Sequence, residues 1–208
     1  MKAYNEDYYI MFKPRGEEQI YIKPQKRTAE RGFRYQKTIP EVEPLFFERA
    51  YKDKIKNIWP ETDVLLESSC FIASTAVYEC LRDFKIDSMQ IYPAVYVNDS
   101  GKYNEDYWYF VFFDELDCID IEGSELRNIK FNTDDGDDEL HLEVKKYSLR
   151  ADVLDVIDEG NRLMFKMGQC SKKYIFVHKK IVDIFLSNSY SGVRFIKVSD
   201  FKEGMQYA

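Results

Sequence analysis

The stretch Phe71 to Val97, FIASTAVYECLRDFKIDSMQIYPAVYV, constrains the fold more than any other part of the chain. Phe71, Ile72 and Ala73 read as a short buried strand, and Ser74 offers a side-chain oxygen to cap a helix. Ala76, Val77, Cys80, Leu81 and Phe84 then recur on one helical face, with Glu79, Arg82 and Asp83 on the other. Asp87 and Ser88 suit a turn. Ile91, Tyr92, Val95, Tyr96 and Val97 are strand formers. Two consecutive strands joined by a helix run parallel, because only a crossover connection returns the chain in the same direction.

A second stretch repeats this plan, Phe176 to Val198, FVHKKIVDIFLSNSYSGVRFIKV. Phe71 aligns with Phe176, Val77 with Val182 and Leu81 with Leu186. After the helix the alignment shifts by one residue, to Ser88 with Gly192 and Ile91 with Phe195. The sequence thus predicts an α/β (α+β) fold, with mixed sheets built on two strand–helix–strand units at about 71–97 and 176–198.

Other segments fill in around these units. Tyr8–Phe12 and Gln19–Ile22 flank Pro14-Arg15-Gly16, which predicts an N-terminal β-hairpin. Residues 24–44 are basic and proline-containing and read as an extended loop; residues 45–58 read as a helix ended by Trp59-Pro60. Tyr107 to Phe113 is apolar on both faces, as a central strand is, and Asn98-Asp99-Ser100-Gly101 predicts a hairpin joining it to residues 91–97. Residues 116–122 alternate polar and apolar and read as a half-buried strand. Residues 1–56 are expected to pack on a body formed by 57–208, so that 1–208 makes one compact unit.

Charge is unevenly spread. The net charge is −7, but residues 99–159 alone sum to −13, while 1–56 and 160–208 sum to +4 and +6. Such a middle segment repels nucleic acid and attracts a basic partner. The stretch 132–139, NTDDGDDE, concentrates this charge. It does not match a calcium loop, because the twelfth position counted from Asp134 is Lys145, where a glutamate is required. No apolar run approaches the length of a membrane helix, and the first residues are too polar for a signal peptide. Four well-separated cysteines and two histidines give no zinc-ligand spacing and fit reduced thiols in the cytoplasm. The expectation is a cytoplasmic protein with no cofactor, no metal and no membrane or nucleic-acid partner.

A search for catalytic chemistry finds little. Neither His141 nor His178 is accompanied by a nucleophile elbow, and the glycine-rich phosphate-binding loops are absent. The expectation is that the protein is not an enzyme.

The order of features resembles the bacterial polymorphic-toxin immunity proteins of the eleventh immunity family. The resemblance rests on FIASTAVYECL, on YFVFFDELDCIDIEGSEL with Asp117, Cys118, Ile119, Asp120 and Ser124, and on Gly192-Val193-Arg194-Phe195-Ile196. It covers roughly residues 60–198. It implies a protein that binds and neutralises a cognate toxin domain, as a monomer or homodimer, and brings no catalytic residues with it. On that reading Asp134, Asp135, Asp137, Asp138 and Glu139 are candidate steering charges, and Tyr103, Tyr107 and Trp108 are candidate aromatic anchors. The alternative is an adaptor module without a toxin partner.

Overall fold

A computed structural model describes residues 4–14, 20–34, 37–39, 43–54, 56–57, 59–67, 70–132 and 138–207, with the backbone alone for 128–132 and 138–141. The strands are β1 (Tyr8–Phe12), β2 (Ile22–Pro24), β3 (Leu45–Arg49), β4 (Val64–Glu67), β5 (Cys70–Ser74), β6 (Met89–Val97), β7 (Tyr103–Phe112), β8 (Glu115–Leu116), β9 (Glu125–Asn132), β10 (Asp138–Lys146), β11 (Met164–Met167), β12 (Ile175–His178) and β13 (Arg194–Lys197). Five short helices accompany them among the described residues: α1 (Tyr4–Asp7), α2 (Lys26–Ala29), α3 (Thr75–Leu81), α4 (Ala151–Asp155) and α5 (Lys179–Ser187).

Two mixed sheets carry the fold. One runs β2-β3-β6-β7-β5-β4 and the other β13-β1-β12-β11-β8. In each, the two strands of a strand–helix–strand unit are parallel with a third, antiparallel strand inserted between them. β7 lies between β5 and β6, and β1 lies between β12 and β13. The lateral spacing is the same in both. Phe71 and Ile91 both stand opposite Phe110, and Phe176 and Ile196 both stand opposite Ile10.

Alternation along these strands explains why they read as apolar throughout. Phe71, Ala73, Phe110 and Phe112 point to a central core that also holds Met11, Met164, Ile175 and Val177 from the other sheet. Both crossover helices contribute to that core, through Val77 and Leu81 of α3 and Ile181, Val182 and Phe185 of α5. The opposite face of the six-stranded sheet buries Leu45, Phe47, Ile72, Tyr107 and Tyr109 in a second cluster. The opposite face of the five-stranded sheet buries Tyr8, Ile10, Phe12, Phe165 and Phe176 in a third. Sheets covered on both sides need strands without a polar face.

The internal repeat is present, with a correction to its alignment. One constant offset relates the units, with no shift after the helix. Ser74 and His178 occupy the two N-cap positions. Val77 corresponds to Ile181 and Leu81 to Phe185, all buried in the central core, and Ile91 corresponds to Phe195, packed against it. Leu186, aligned with Leu81 in the sequence, is exposed. The expected serine cap is also corrected: the Ser74 hydroxyl makes no cap hydrogen bond and donates to Asp63 instead. In the second unit His178 does the capping, its Nδ1 accepting from Lys180 N at 3.1 Å.

The N-terminal residues take part in both sheets. β1 pairs with β12 and β13, whereas β2 pairs with β3, so the two strands expected as a hairpin each find their partners in a different sheet. Residues 45–49 form β3 in place of the expected helix. Leu45, Phe47 and Arg49 are buried while Phe46 and Glu48 are half-buried, a period of two that fits an interior strand between β2 and β6. The expected loop at 24–44 contains α2, whose Thr28 hydroxyl accepts from Phe46 N. Of the strand expected at 116–122, only Glu115–Leu116 forms, pairing with β11. Beyond it Asp120 accepts from Gly123 N and from the Ser148 hydroxyl, and this side-chain bonding closes a turn where a ladder would otherwise continue.

Candidate protein-binding surface

The β6–β7 hairpin outruns β5 on one side, while β3 flanks it on the other. β5 ends opposite Tyr107 and the chain turns into α3, so Tyr103 to Asp106 lie beyond β5 and pair only with β6. The turn is held by Asn98, whose Oδ1 accepts from the Ser100 amide and hydroxyl and from Lys102 N. Gly101 supplies the positive φ that the turn requires.

This end is acidic. Glu61, Tyr103, Asn104, Glu105 and Asp106 line an open cleft of about 440 Å³. Glu61 is held in place by Asn104, whose amide donates to it at 2.6 Å. Asp99 is neutralised by Arg49 at 2.6 Å and Lys52 at 3.6 Å. Glu105 and Asp106 are exposed and have no cation partner among the described residues.

The three candidate aromatic anchors separate by position along β7. Tyr103 is 56% exposed, its ring edge-on to Phe46. Tyr107, inside the sheet and turned to the other face by a bulge in β7 between Asn104 and Tyr107, is buried and donates its hydroxyl to Thr62 O at 2.7 Å. Burial pushes its phenol well above the ordinary range. Trp108 is half-buried on the opposite face, stacked on Tyr78 at 3.9 Å with its indole N–H on the Thr75 hydroxyl. Tyr103 alone of the three is free to meet a partner.

The acidic stretch belongs to a different element. β9 and β10 form a two-stranded arm whose outermost described pair is Asn132 opposite Asp138, followed by Phe131 opposite Glu139. Leu126 and Val144 anchor its base in the outer core of the five-stranded sheet, and Glu203 N donates to Lys145 O. Leu142 is still tied to the body, its N–H donating to Gln169 O and its carbonyl accepting from Ser171 N, and from there to Asp138 is four residues of strand, roughly 13 Å. Asp138 and Glu139 are thus set at the far end of the arm. Asp134, Asp135 and Asp137 lie outside the described residues, as do the side chains of Asp138 and Glu139.

No described hydrogen bond, ion pair or ring contact links the arm to Tyr103. The predicted set therefore does not form one surface: Tyr103 belongs to the six-stranded sheet, while Asp138 and Glu139 belong to the two-stranded arm. Glu61, Glu105 and Asp106 were not singled out by the sequence reading. The signal available for Glu105 and Asp106 was their place just after the turn, on a strand that outruns its neighbour.

His178 and the buried cysteines have structural surroundings. His178 caps α5 and lies edge-on to Tyr8 at 5.1 Å. Cys70, Cys118 and Cys170 are buried free thiols, and burial raises all three. Among the described residues no three His, Cys, Asp or Glu side chains cluster to hold a metal, and no helix is long and apolar enough to cross a membrane.

Comparison with known families rests on a match to the Immunity protein family (Imm11) over residues 5–200. The chain belongs to this family. No curated protein matches it. The Imm11 match runs from α1 through β13 and so includes β1, the N-terminal strand that completes the second sheet. The motifs legible in the sequence began only near residue 60. The fold shows why the Imm11 unit must begin earlier: without β1, β12 and β13 have no strand between them.

Proposed function

We propose that this Imm11 protein acts in the cytoplasm as the immunity partner of a bacterial toxin domain, which it neutralises by binding and occluding it. Membership of the immunity family carries this reading. The sequence supports the mode of binding: an acidic stretch joins β9 to β10, and charge concentrated there would act on an approaching basic surface before contact. Electrostatic complementarity of this kind chiefly raises the association rate, while desolvated aromatic contacts supply affinity. Asp134, Asp135, Asp137, Asp138 and Glu139 provide the steering charge. Tyr103, flanked by Glu105 and Asp106, provides an exposed ring. The protein needs no cofactor for this role and works as a monomer or homodimer.

The experiment is co-expression with the candidate toxin domain, read by pull-down and by growth. A stable complex that restores growth is expected. An active toxin domain that is neither bound nor neutralised overturns the assignment. With the complex in hand, reversing the five arm charges is expected to slow association by about tenfold or more at low salt and to flatten its salt dependence. Unchanged association kinetics would remove the arm from the mechanism.

A further inference from the structure

One cleft differs in charge from the acidic surfaces above. It lies where the ends of both sheets meet, has a volume of about 430 Å³, and is walled mainly by Phe12, Lys13, Tyr21, Lys172, Tyr174 and Tyr207. The cleft beside Tyr103, and two others on the six-stranded sheet, each include carboxylates: Glu61, Glu105 and Asp106; Glu30 and Glu48; Glu61 and Asp99. The seam cleft has none among the described residues, in a protein of net charge −7.

Its walls are fixed by contacts on every side. Arg194 donates to Lys13 O, Met205 O and Gln206 O, which folds the C-terminal residues back against the end of β1. The Tyr174 ring packs edge-on to Phe12 at 4.9 Å. Tyr207 stands 77% exposed at the rim. The Lys13 ammonium lies 4.0 Å from the centre of the Tyr21 ring. Neither Lys13 nor Lys172 has a carboxylate within ion-pair distance among the described residues. Glu67 acts on Lys13 from further off, and it is already paired with Arg34. Burial pushes the Lys13 amine down to about 8, against the opposing pull of Glu67. A half-buried cation without a counter-ion is costly, and an anion entering the cleft removes that cost.

We propose that this cleft binds a small aromatic carboxylate, its ring against Tyr174 and Tyr207 and its carboxylate on Lys13 and Lys172. The volume suits one ring with a short acidic side chain. The lining supplies aromatic faces for the ring and charged donors for the acid, the two halves of such a ligand. The inference does not depend on the toxin reading and concerns a different face.

The test uses the full chain with its lysines carbon-13 dimethylated, which retains their charge. The Lys13 signal is assigned as the one missing from Lys13→Met. The probe is 4-hydroxyphenylacetate, compared with 4-hydroxyphenylethanol and with acetate. The expected result is a saturable shift of the Lys13 signal at probe concentrations of about 1 mM or below, with its titration midpoint moving upward on saturation. The alcohol and acetate are expected to bind at least about tenfold more weakly, since each lacks one half of the recognition. Lys13→Met and, independently, the exposed-site variant Lys172→Met are each expected to weaken probe binding by about fivefold or more, while circular dichroism shows the fold intact. Equal binding of acid and alcohol would make the cleft merely apolar and overturn the proposal. So would a Lys13 signal indifferent to the probe, or an ordinary lysine midpoint before any probe is added, which would mean that a carboxylate of this chain already serves it.

Discussion

Asp63 and Ser191 fasten the two strand–helix–strand units to each other. The Ser191 hydroxyl and amide both donate to Asp63 Oδ2, at 2.6 and 2.8 Å, and Asp63 N donates back to Ser191 Oγ at 3.1 Å. One residue on, Val64 N donates to Ser191 O. Asp63 also accepts from the Ser74 hydroxyl at the start of α3, so one carboxylate ties together β4, the first crossover helix and the turn before β13. Burial raises the Asp63 pKa, but the hydrogen bonds from Ser191 and Ser74 outweigh it and hold the carboxyl below its ordinary value. A carboxylate with a lowered folded pKa stabilises the protein above its unfolded pKa of about 3.9 and ceases to do so as pH falls through the folded value. Asp63→Asn is therefore expected to cost about 1–3 kcal/mol at neutral pH and to lose less further stability than wild type between about pH 5 and 2. Urea unfolding across that range measures both; parallel pH profiles would refute the role given to the charge.

Gly192, next to Ser191, has a positive φ of 85°. A Cβ there would run into the carbonyl oxygen of Val64 and stand 2.8 Å from Thr62 Cβ. Both the backbone conformation and the close approach demand glycine. Gly192→Ala is expected to destabilise the protein by more than about 2 kcal/mol, seen as a lower urea midpoint. Gly101→Ala, at a positive φ but with open space around it, is expected to cost less.

His178 and Ser74 hold equivalent positions with exchanged chemistry. Burial lowers the His178 pKa, with Asp7 and Glu159 pulling it partly back. The neutral ring accepts from Lys180 N, and protonation removes that acceptor. A lowered folded pKa means that the stabilisation is present above the unfolded value of about 6.5 and is lost as pH falls through the folded one. His178→Asn keeps a capping acceptor that does not titrate, so its melting temperature is expected to fall less than that of wild type from pH 8 to 5. His178→Ala is expected to lose about 1 kcal/mol at pH 8. Identical pH slopes for wild type and His178→Asn would exclude the cap as the source.

The central core gathers both units, which bears on how the chain unfolds. Leu81 and Phe185 occupy equivalent places on the two crossover helices, and both are almost fully buried in it. Leu81→Ala and Phe185→Ala are each expected to cost about 2–5 kcal/mol. Because one cluster spans both sheets, each variant is expected to shift a single transition, with fluorescence and circular dichroism coinciding. Two transitions that respond separately to the two variants would show that the sheets unfold apart.

The sequence made much of this architecture legible because local signals and tertiary partners agreed. The spacing of Val77 and Leu81, the Asn98–Gly101 turn and the doubly apolar run at 107–113 each name one structure, and those structures form. The failures arose where partners are distant in the chain. Nothing near Tyr8–Phe12 says that it will lie between residues 175–178 and 194–197, and a proline-containing turn nearby suggested a local partner instead. Residues 45–49 resembled a helix because the charges around them mask a period-two pattern only five residues long. The single-residue shift in the repeat came from aligning like with like, Phe71 with Phe176 and Leu81 with Leu186. The fold equates residues by the face they bury. For the surface, acidity was plain in the sequence, but the division between the arm and the Tyr103 end depends on sheet membership.

Position along β7 gives the last prediction. A bulge in β7 between Asn104 and Tyr107 turns Tyr103 and Tyr107 to opposite faces, and of the two only Tyr107 has a strand on both flanks, because β5 ends opposite it. Its hydroxyl reaches Thr62 O, and its ring fills the core beneath. Tyr107→Ala is expected to destabilise the protein by about 3 kcal/mol or more through the cavity it leaves; Tyr107→Phe is expected to cost about 1–2 kcal/mol, the loss of one buried hydrogen bond. Tyr103→Ala removes a ring that is mostly in water and is expected to leave stability within about 0.5 kcal/mol. If the Tyr103 end meets the toxin domain, that same variant weakens binding by about tenfold or more, as an exposed aromatic anchor should. Urea unfolding and calorimetric titration on the same three variants separate the roles. A Tyr103→Ala protein of unchanged affinity would leave binding to the arm, and a Tyr107→Phe protein that lost affinity at full stability would place the partner against β7 inside the sheet.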